Sequence, residues 1–161
     1  MISKKHMRIL FVIYLLILLR VIVFKYPLAQ MREIVASWKR EVFWEGLGSA
    51  NFELFKTIKL YIRHWDNKGI NRFGNLIGNI VAFIPLGYML PRICKASRHF
   101  IICMVQVFFL VLGIELFQLL SAFGVFDVDD ILLNCLGALA GYLFFKIEDY
   151  IYQKGNRENG L

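Results

Sequence analysis

Side chains suited to metal or thiol chemistry are scarce in this sequence. It has three histidines and three cysteines among 161 residues. Cys94, Cys103 and Cys135 are odd in number and match no metal-ligand spacing. Two of them fall inside apolar runs, so neither a disulfide framework nor thiol chemistry is expected. Internal repeats and low-complexity tracts are absent. So are a basic-aromatic RNA module and a helix-turn-helix pattern, which removes nucleic acid as a partner despite a formal net charge of +7. No small-residue cleavage site convincingly follows the basic start and first apolar run, so that run is expected to be retained as a helix.

What the chain does have is hydrophobic residues, 58% of the total, grouped in long runs. This is too apolar for an ordinary soluble domain of this length. A membrane-spanning helix needs about 20 mostly apolar residues. Runs at 9–24 and 100–123 supply two candidates, and the shorter cores Leu76–Leu90 and Ile131–Phe145 have flanks that extend them to 75–90 and 131–147. The expected fold is an all-α integral membrane protein, a single domain built as a four-helix transmembrane bundle. The 19 Lys and Arg residues sit between and beside the apolar runs, which fits contact with anionic lipid headgroups.

Charge in the short loops sets the expected orientation. Lys4, Lys5 and Arg8 precede the first run, and Arg92, Lys95 and Arg98 crowd the Pro91–His99 loop. The loop Gly124–Asp130 carries three aspartates and no cation. By the positive-inside rule the N-terminus, the Pro91–His99 loop and the C-terminus are cytoplasmic. The 25–74 connection opposes this with nine Lys and Arg, a number the inner segments match in fewer residues. Within it, Leu28, Met31, Ile34, Val35, Trp38 and Val42 recur at helical spacing, as do Phe55, Ile58, Ile62 and Trp65. Basic amphipathic helices of this kind lie in the membrane interface or pack as a cap on the bundle. Gly46-Leu-Gly48 and Asn67-Lys-Gly69 are the expected breaks between them.

This topology brings the polar residues of the apolar runs to the outer rim. Arg20, Asn79, Glu115, Gln118 and Asn134 lie on four different runs, beneath Asp127, Asp129 and Asp130. Glu115 is eight residues before Phe123, roughly 12 Å below the outer end. Polar groups in hydrocarbon are costly and usually face a bundle interior or a cavity. Arg20 either snorkels to the headgroups or forms an ion pair with Glu115. Asn79 and Asn134 either cross-link helices or orient a ligand, and Gln118 shares a face with Glu115. The three aspartates read as a solvent-exposed acidic loop. No cofactor is expected, although three carboxylates within four residues leave a divalent cation as an open alternative. Small residues mark close helix packing: Gly74 and Gly78 in one run, Gly137 and Gly141 in another. Pro85, two residues before Gly87, removes a backbone donor and should kink the second span.

Three stretches together resemble the VanZ-like membrane protein family. They are Asn79-Ile-Val-Ala-Phe83-Ile-Pro85-Leu-Gly87, then Glu115-Leu-Phe-Gln118, then Gly124-Val-Phe-Asp127-Val-Asp129-Asp130-Ile-Leu-Leu-Asn134-Cys-Leu-Gly137-Ala-Leu-Ala-Gly141. Asn51-Phe-Glu-Leu-Phe-Lys-Thr-Ile58 also resembles an asparagine-led family segment, with Glu53-Leu54 where a proline is common. The resemblance implies a membrane protein whose expression lowers susceptibility to the glycopeptide antibiotic teicoplanin, with little effect on vancomycin. It implies no settled catalytic mechanism.

Three functions follow from the residues and the resemblance together. The leading one is a non-enzymatic membrane factor that meets teicoplanin or a lipid-linked peptidoglycan precursor at the outer leaflet, with membrane lipid as its constant partner. The second is a membrane enzyme modifying an envelope lipid or precursor, with Glu115 and Asp129 as acid and base. Against it, His64 is the only histidine on the site's side, and no Ser-His or Cys-His arrangement is visible there. The third is a structural or assembly factor for envelope machinery.

Overall fold

Seven α-helices and one 3-10 turn make up the regular structure of the computed structural model, which describes residues 3–63 and 65–158. Helix α1 (Lys4–Ile22) begins at Ser3, whose hydroxyl accepts the His6 N–H. Three short helices follow: α2 (Leu28–Ser37), α3 (Arg40–Ser49) and α4 (Lys56–Arg63). Helix α5 (Trp65–Ile93) leads through the 3-10 turn Ala96–Arg98 into α6 (Phe100–Ser121). Ala122 then adopts a left-handed conformation that ends α6, and α7 (Val128–Glu158) completes the fold.

Among the described residues, three segments are long and apolar enough to cross a membrane: Gly74–Ile93, Phe100–Ser121 and Val128–Asn156. Ile101, Phe109 and Leu143 are exposed on their outer faces, where a soluble bundle would carry polar residues. Helix α1 is not among the three. Every 18-residue stretch of it carries three or four cationic side chains. The expected four spans therefore become three candidates plus α1. The acidic loop is also corrected, because the last helix starts at Val128 and takes Asp129 and Asp130 into its first turn.

Helices α5 and α7 approach most closely, and glycine is the reason. A Cβ added at Gly137 would sit 2.0 Å from the Ile80 carbonyl oxygen, and one at Gly141 would sit 1.9 Å from that of Ile84. Across the same seam, a Cβ at Gly87 would meet the Ala138 oxygen at 1.8 Å. Gly74 and Gly78 behave differently from expectation, since an added Cβ there meets nothing within 4 Å among the described residues. They precede the seam, on an exposed part of α5. The core beside the seam is Phe83, Leu86, Val107 and Val111, closed by Leu18 and Val23 from the α1 region.

Helix α1 lies antiparallel to α5 along the bundle. Its Tyr14 hydroxyl donates to the Ala82 carbonyl at 2.8 Å, one turn before Pro85. Near its start Met7 and Leu10 lie beside Met89 and Ile151, and at its end the Ile22 carbonyl accepts from Gln118. Nineteen residues give it a length of about 28 Å.

The connecting helices are amphipathic as expected, with one face on protein. Met31, Ile34, Phe43 and Leu47 pack on the core, while Leu28, Val35 and Trp44 remain exposed. The Trp38 indole N–H donates to the Leu120 carbonyl at 2.8 Å, pinning the end of α2 to the end of α6. The expected breaks are misplaced. Gly46 and Gly48 lie inside α3, and Asn67–Gly69 lie inside α5. The chain breaks instead at the extended residues Trp38 and Lys39, and over Ala50–Phe55. Glycine permits a helix to end without requiring it.

Candidate functional site

At the end of the bundle where α6 meets α7, Asn51 pairs with Asp127 as in a parallel strand. The Asn51 N–H donates to the Phe126 carbonyl (2.8 Å), and the Val128 N–H donates to the Asn51 carbonyl (3.0 Å). Asp127 is the N-cap of α7. Its Oδ1 accepts the Asp129 N–H at 2.8 Å, and the same oxygen accepts the Asn51 amide at 2.8 Å. Its Oδ2 accepts the Thr57 hydroxyl at 2.6 Å.

Asp129 does for α4 what Asp127 does for α7. Its carboxylate is 0% exposed and accepts the backbone N–H groups of Phe55, Thr57 (2.8 Å) and Ile58 (3.2 Å). The first N–H groups of a helix have no partner within it, and a carboxylate there also complements the helix dipole. Phe55 takes a φ of 66°, and its N–H meets that carboxylate. Two of the three aspartates are thus engaged by donors from a segment some 70 residues away, and Asp129 is fully buried, which corrects the solvent-exposed reading. Among the described residues, no group of three His, Cys, Asp or Glu side chains is arranged as metal ligands.

Beneath this lock lies a second layer. Glu115 is 1% exposed and accepts the Asp127 N–H at 3.2 Å. Asp130 is half-buried and accepts the Asn79 amide at 2.6 Å. Asn134, one helical turn after Asp130, is 2% exposed, and its Oδ1 has no partner among the described residues. Gln118 points elsewhere, donating to the Ile22 carbonyl at 3.1 Å and tying α6 to the end of α1.

The ion pair expected between Arg20 and Glu115 does not form. Arg20 is exposed and donates to the Phe24 carbonyl, just beyond the end of α1. Lys25, exposed just beyond, acts on Glu115 and Asp130 only at longer range than an ion pair. The two ion pairs found among the described residues, Arg92–Glu148 and Arg98–Asp149, are both at the opposite end. The Tyr88 hydroxyl donates to Glu148 at 2.6 Å, and the Tyr142 hydroxyl donates to the Arg98 carbonyl at 2.7 Å, closing that end. His64 lies outside the described residues.

The arrangement therefore has two carboxylates without an ion pair, one amide donor committed to Asp130, and one buried amide oxygen left open. Carboxylates so placed favour ligands that bring N–H or O–H donors, above all cationic ones. A family model described as VanZ/LLP1 matches residues 11–149, which takes in the later part of α1, the lock and the layer beneath it. The chain belongs to the VanZ/LLP1 family. Its three candidate spans point to a multi-pass membrane protein. No curated protein and no solved structure matches the chain.

Sequence reasoning assembled Asn79, Glu115, Asp130 and Asn134 at one end but missed Asn51 and Thr57. A signal for both was present in the stretch Asn51–Ile58, whose asparagine-led pattern resembles the VanZ-like family. What it lacked was any indication that the loop aspartates were its partners.

Proposed function

We propose that this VanZ/LLP1 protein is a non-enzymatic factor of the bacterial cell membrane that lowers susceptibility to teicoplanin. It meets the drug, or a lipid-linked peptidoglycan precursor, at the outer leaflet. In this reading α1 is a fourth span, both termini are cytoplasmic, and α2–α4 lie in the outer interface. The length of α1 and its contacts at both ends of the bundle support the first point. Lys4, Lys5 and Arg8 at its start, with Arg92, Lys95 and Arg98 in the short loop, support the second. The exposed apolar faces of α2–α4 support the third.

One observation carries the binding role. Asp130 stands one helical turn before Asn134, whose side-chain oxygen is open, and neither Asp130 nor Glu115 has an ion pair among the described residues. Each carboxylate accepts one protein donor and faces no cation in an ion pair, so acceptor positions remain for a ligand's donors. Amine or amide donors of a ligand supply what is missing, while its acyl portion stays in lipid. Asp127 and Asp129 have a different task. They hold α4 against α7, and so keep the roof of the site in place.

The test is teicoplanin and vancomycin susceptibility in an expressing Gram-positive host, with membrane abundance followed by immunoblot. Glu115→Gln and Asp130→Asn keep shape and remove charge. Each is expected to abolish teicoplanin protection at unchanged abundance, with vancomycin susceptibility little altered. Full protection by both variants overturns the binding role. Recovery of chemically altered teicoplanin or precursor from wild-type cells would turn the assignment to an enzyme.

A further inference from the structure

We propose that a groove at the opposite end of the bundle binds one acyl chain of an anionic phospholipid, with the lipid phosphate held by the basic start of α1. The groove has a volume of about 710 Å³, within the range of about 300–1,000 Å³ typical of small-molecule sites. Met7 and Leu10 of α1, Ile84 and Met89 of α5, and Phe144 and Ile151 of α7 form its walls. Pro85 sits in the same wall, so one backbone N–H that would otherwise need a partner is missing there.

The choice of occupant rests on charge. The groove lining includes two polar side chains, Tyr88 and Glu148. Glu148 is paired with Arg92, and the second described carboxylate at this end, Asp149, is paired with Arg98. With both acids neutralised, Lys4, Lys5 and Arg8 stand exposed with no ion pair among the described residues. Lys4, Met7 and Leu10 follow one another at three-residue intervals on α1, so a cation stands on the face that lines the groove. The buried Nε of Arg92 is a further donor without an acceptor. An apolar slot with surplus positive charge at its mouth suits an anionic headgroup and does not favour a zwitterionic one. This site is separate from the one around Glu115, and neither depends on the other.

The experiment is native mass spectrometry of the full chain in detergent, supplied with equal phosphatidylglycerol and phosphatidylcholine of matched acyl chains. The wild type is expected to retain phosphatidylglycerol at least about fivefold over phosphatidylcholine, the preference that a single interfacial cation can provide. A combined Lys4→Gln, Lys5→Gln and Arg8→Gln variant should bind both lipids equally. Leu10→Trp fills the slot and should reduce phosphatidylglycerol retention to the phosphatidylcholine level. Ile101→Trp, on the exposed face of α6, should leave the preference intact. If Leu10→Trp proves unfolded by its helical melting curve, the charge variant decides alone. Equal retention of the two lipids by wild type overturns the proposal, as does a preference that survives in either folded variant or is lost in Ile101→Trp.

Discussion

Replacing Asp129 with alanine removes the one carboxylate that accepts the backbone N–H groups of Phe55, Thr57 and Ile58. Asp129 is fully buried, so water does not readily take its place. A hydrogen bond to a charged group contributes about 1.5–3 kcal/mol, and a lost helix cap costs about 0.5–2 kcal/mol. These overlap, since the cap consists of the same bonds, and partial hydration of the freed N–H groups recovers some of the loss. A net cost of about 3 kcal/mol for holding α4 in place is the reasonable figure. The cost falls on α4 and not on the bundle, because the α5–α7 seam is made by Gly87, Gly137 and Gly141 far from this contact. Hydrogen exchange in detergent reads it directly. Amide protection at Thr57 and Ile58 should fall about a hundredfold, while protection across Phe83–Gly87 is unchanged. Asp129→Asn keeps one acceptor and should give an intermediate loss. Unchanged protection at Thr57 and Ile58 in the alanine variant would refute the capping argument, and a uniform loss across α5 would refute its local character.

The seam itself makes a sharp contrast among glycines. Gly137→Val places side-chain atoms against the Ile80 backbone and should cost several kcal/mol, seen as a large drop in the detergent melting temperature. Gly78→Ala meets open space and should leave that temperature unchanged or raise it slightly, by at most about 1 kcal/mol of helix propensity. Cys94, half-buried between α5 and α6, has its thiol pKa lowered chiefly by the hydrogen bond with Ser97. Because the thiolate is the reactive form, alkylation of Cys94 should persist to lower pH than that of an ordinary thiol, and Ser97→Ala should move the profile upward. The buried Cys103 should stay unlabelled in the folded protein. In membrane vesicles, labelling of Cys94 from the cytoplasmic face alone supports the proposed orientation, and labelling from the outer face alone reverses it.

Which parts of this protein were legible in the sequence follows from the range of the forces involved. Hydropathy is local, so the apolar runs at 75–90, 100–123 and 131–147 each found a helix, with ends displaced by a few residues or more. The first run also became a helix, α1, which is not among the three candidate spans. Period counting likewise found α2 and α4 as helices, although of the counted residues Met31 and Ile34 pack on the core while Leu28, Val35 and Ile62 stay exposed. The clustering of Asn79, Glu115, Asp130 and Asn134 required only alternating helix direction in addition. That much, with the family, the sequence determined by itself.

Hydrogen-bond partners were decided only by the tertiary structure. Nothing near Asp129 in the chain says that its acceptors serve Phe55, Thr57 and Ile58, since those donors become available only when α4 is laid against α7. Arg20 could be matched to Glu115 on charge alone, yet the Phe24 carbonyl, just past its own helix, was four residues away and exposed no charge to burial. Gly74 and Gly78 have the same spacing as Gly137 and Gly141, but only the second pair faces a neighbouring backbone. A residue's type sets what it can bond or admit. Its partner is set by which surfaces the packed helices bring within a few ångströms.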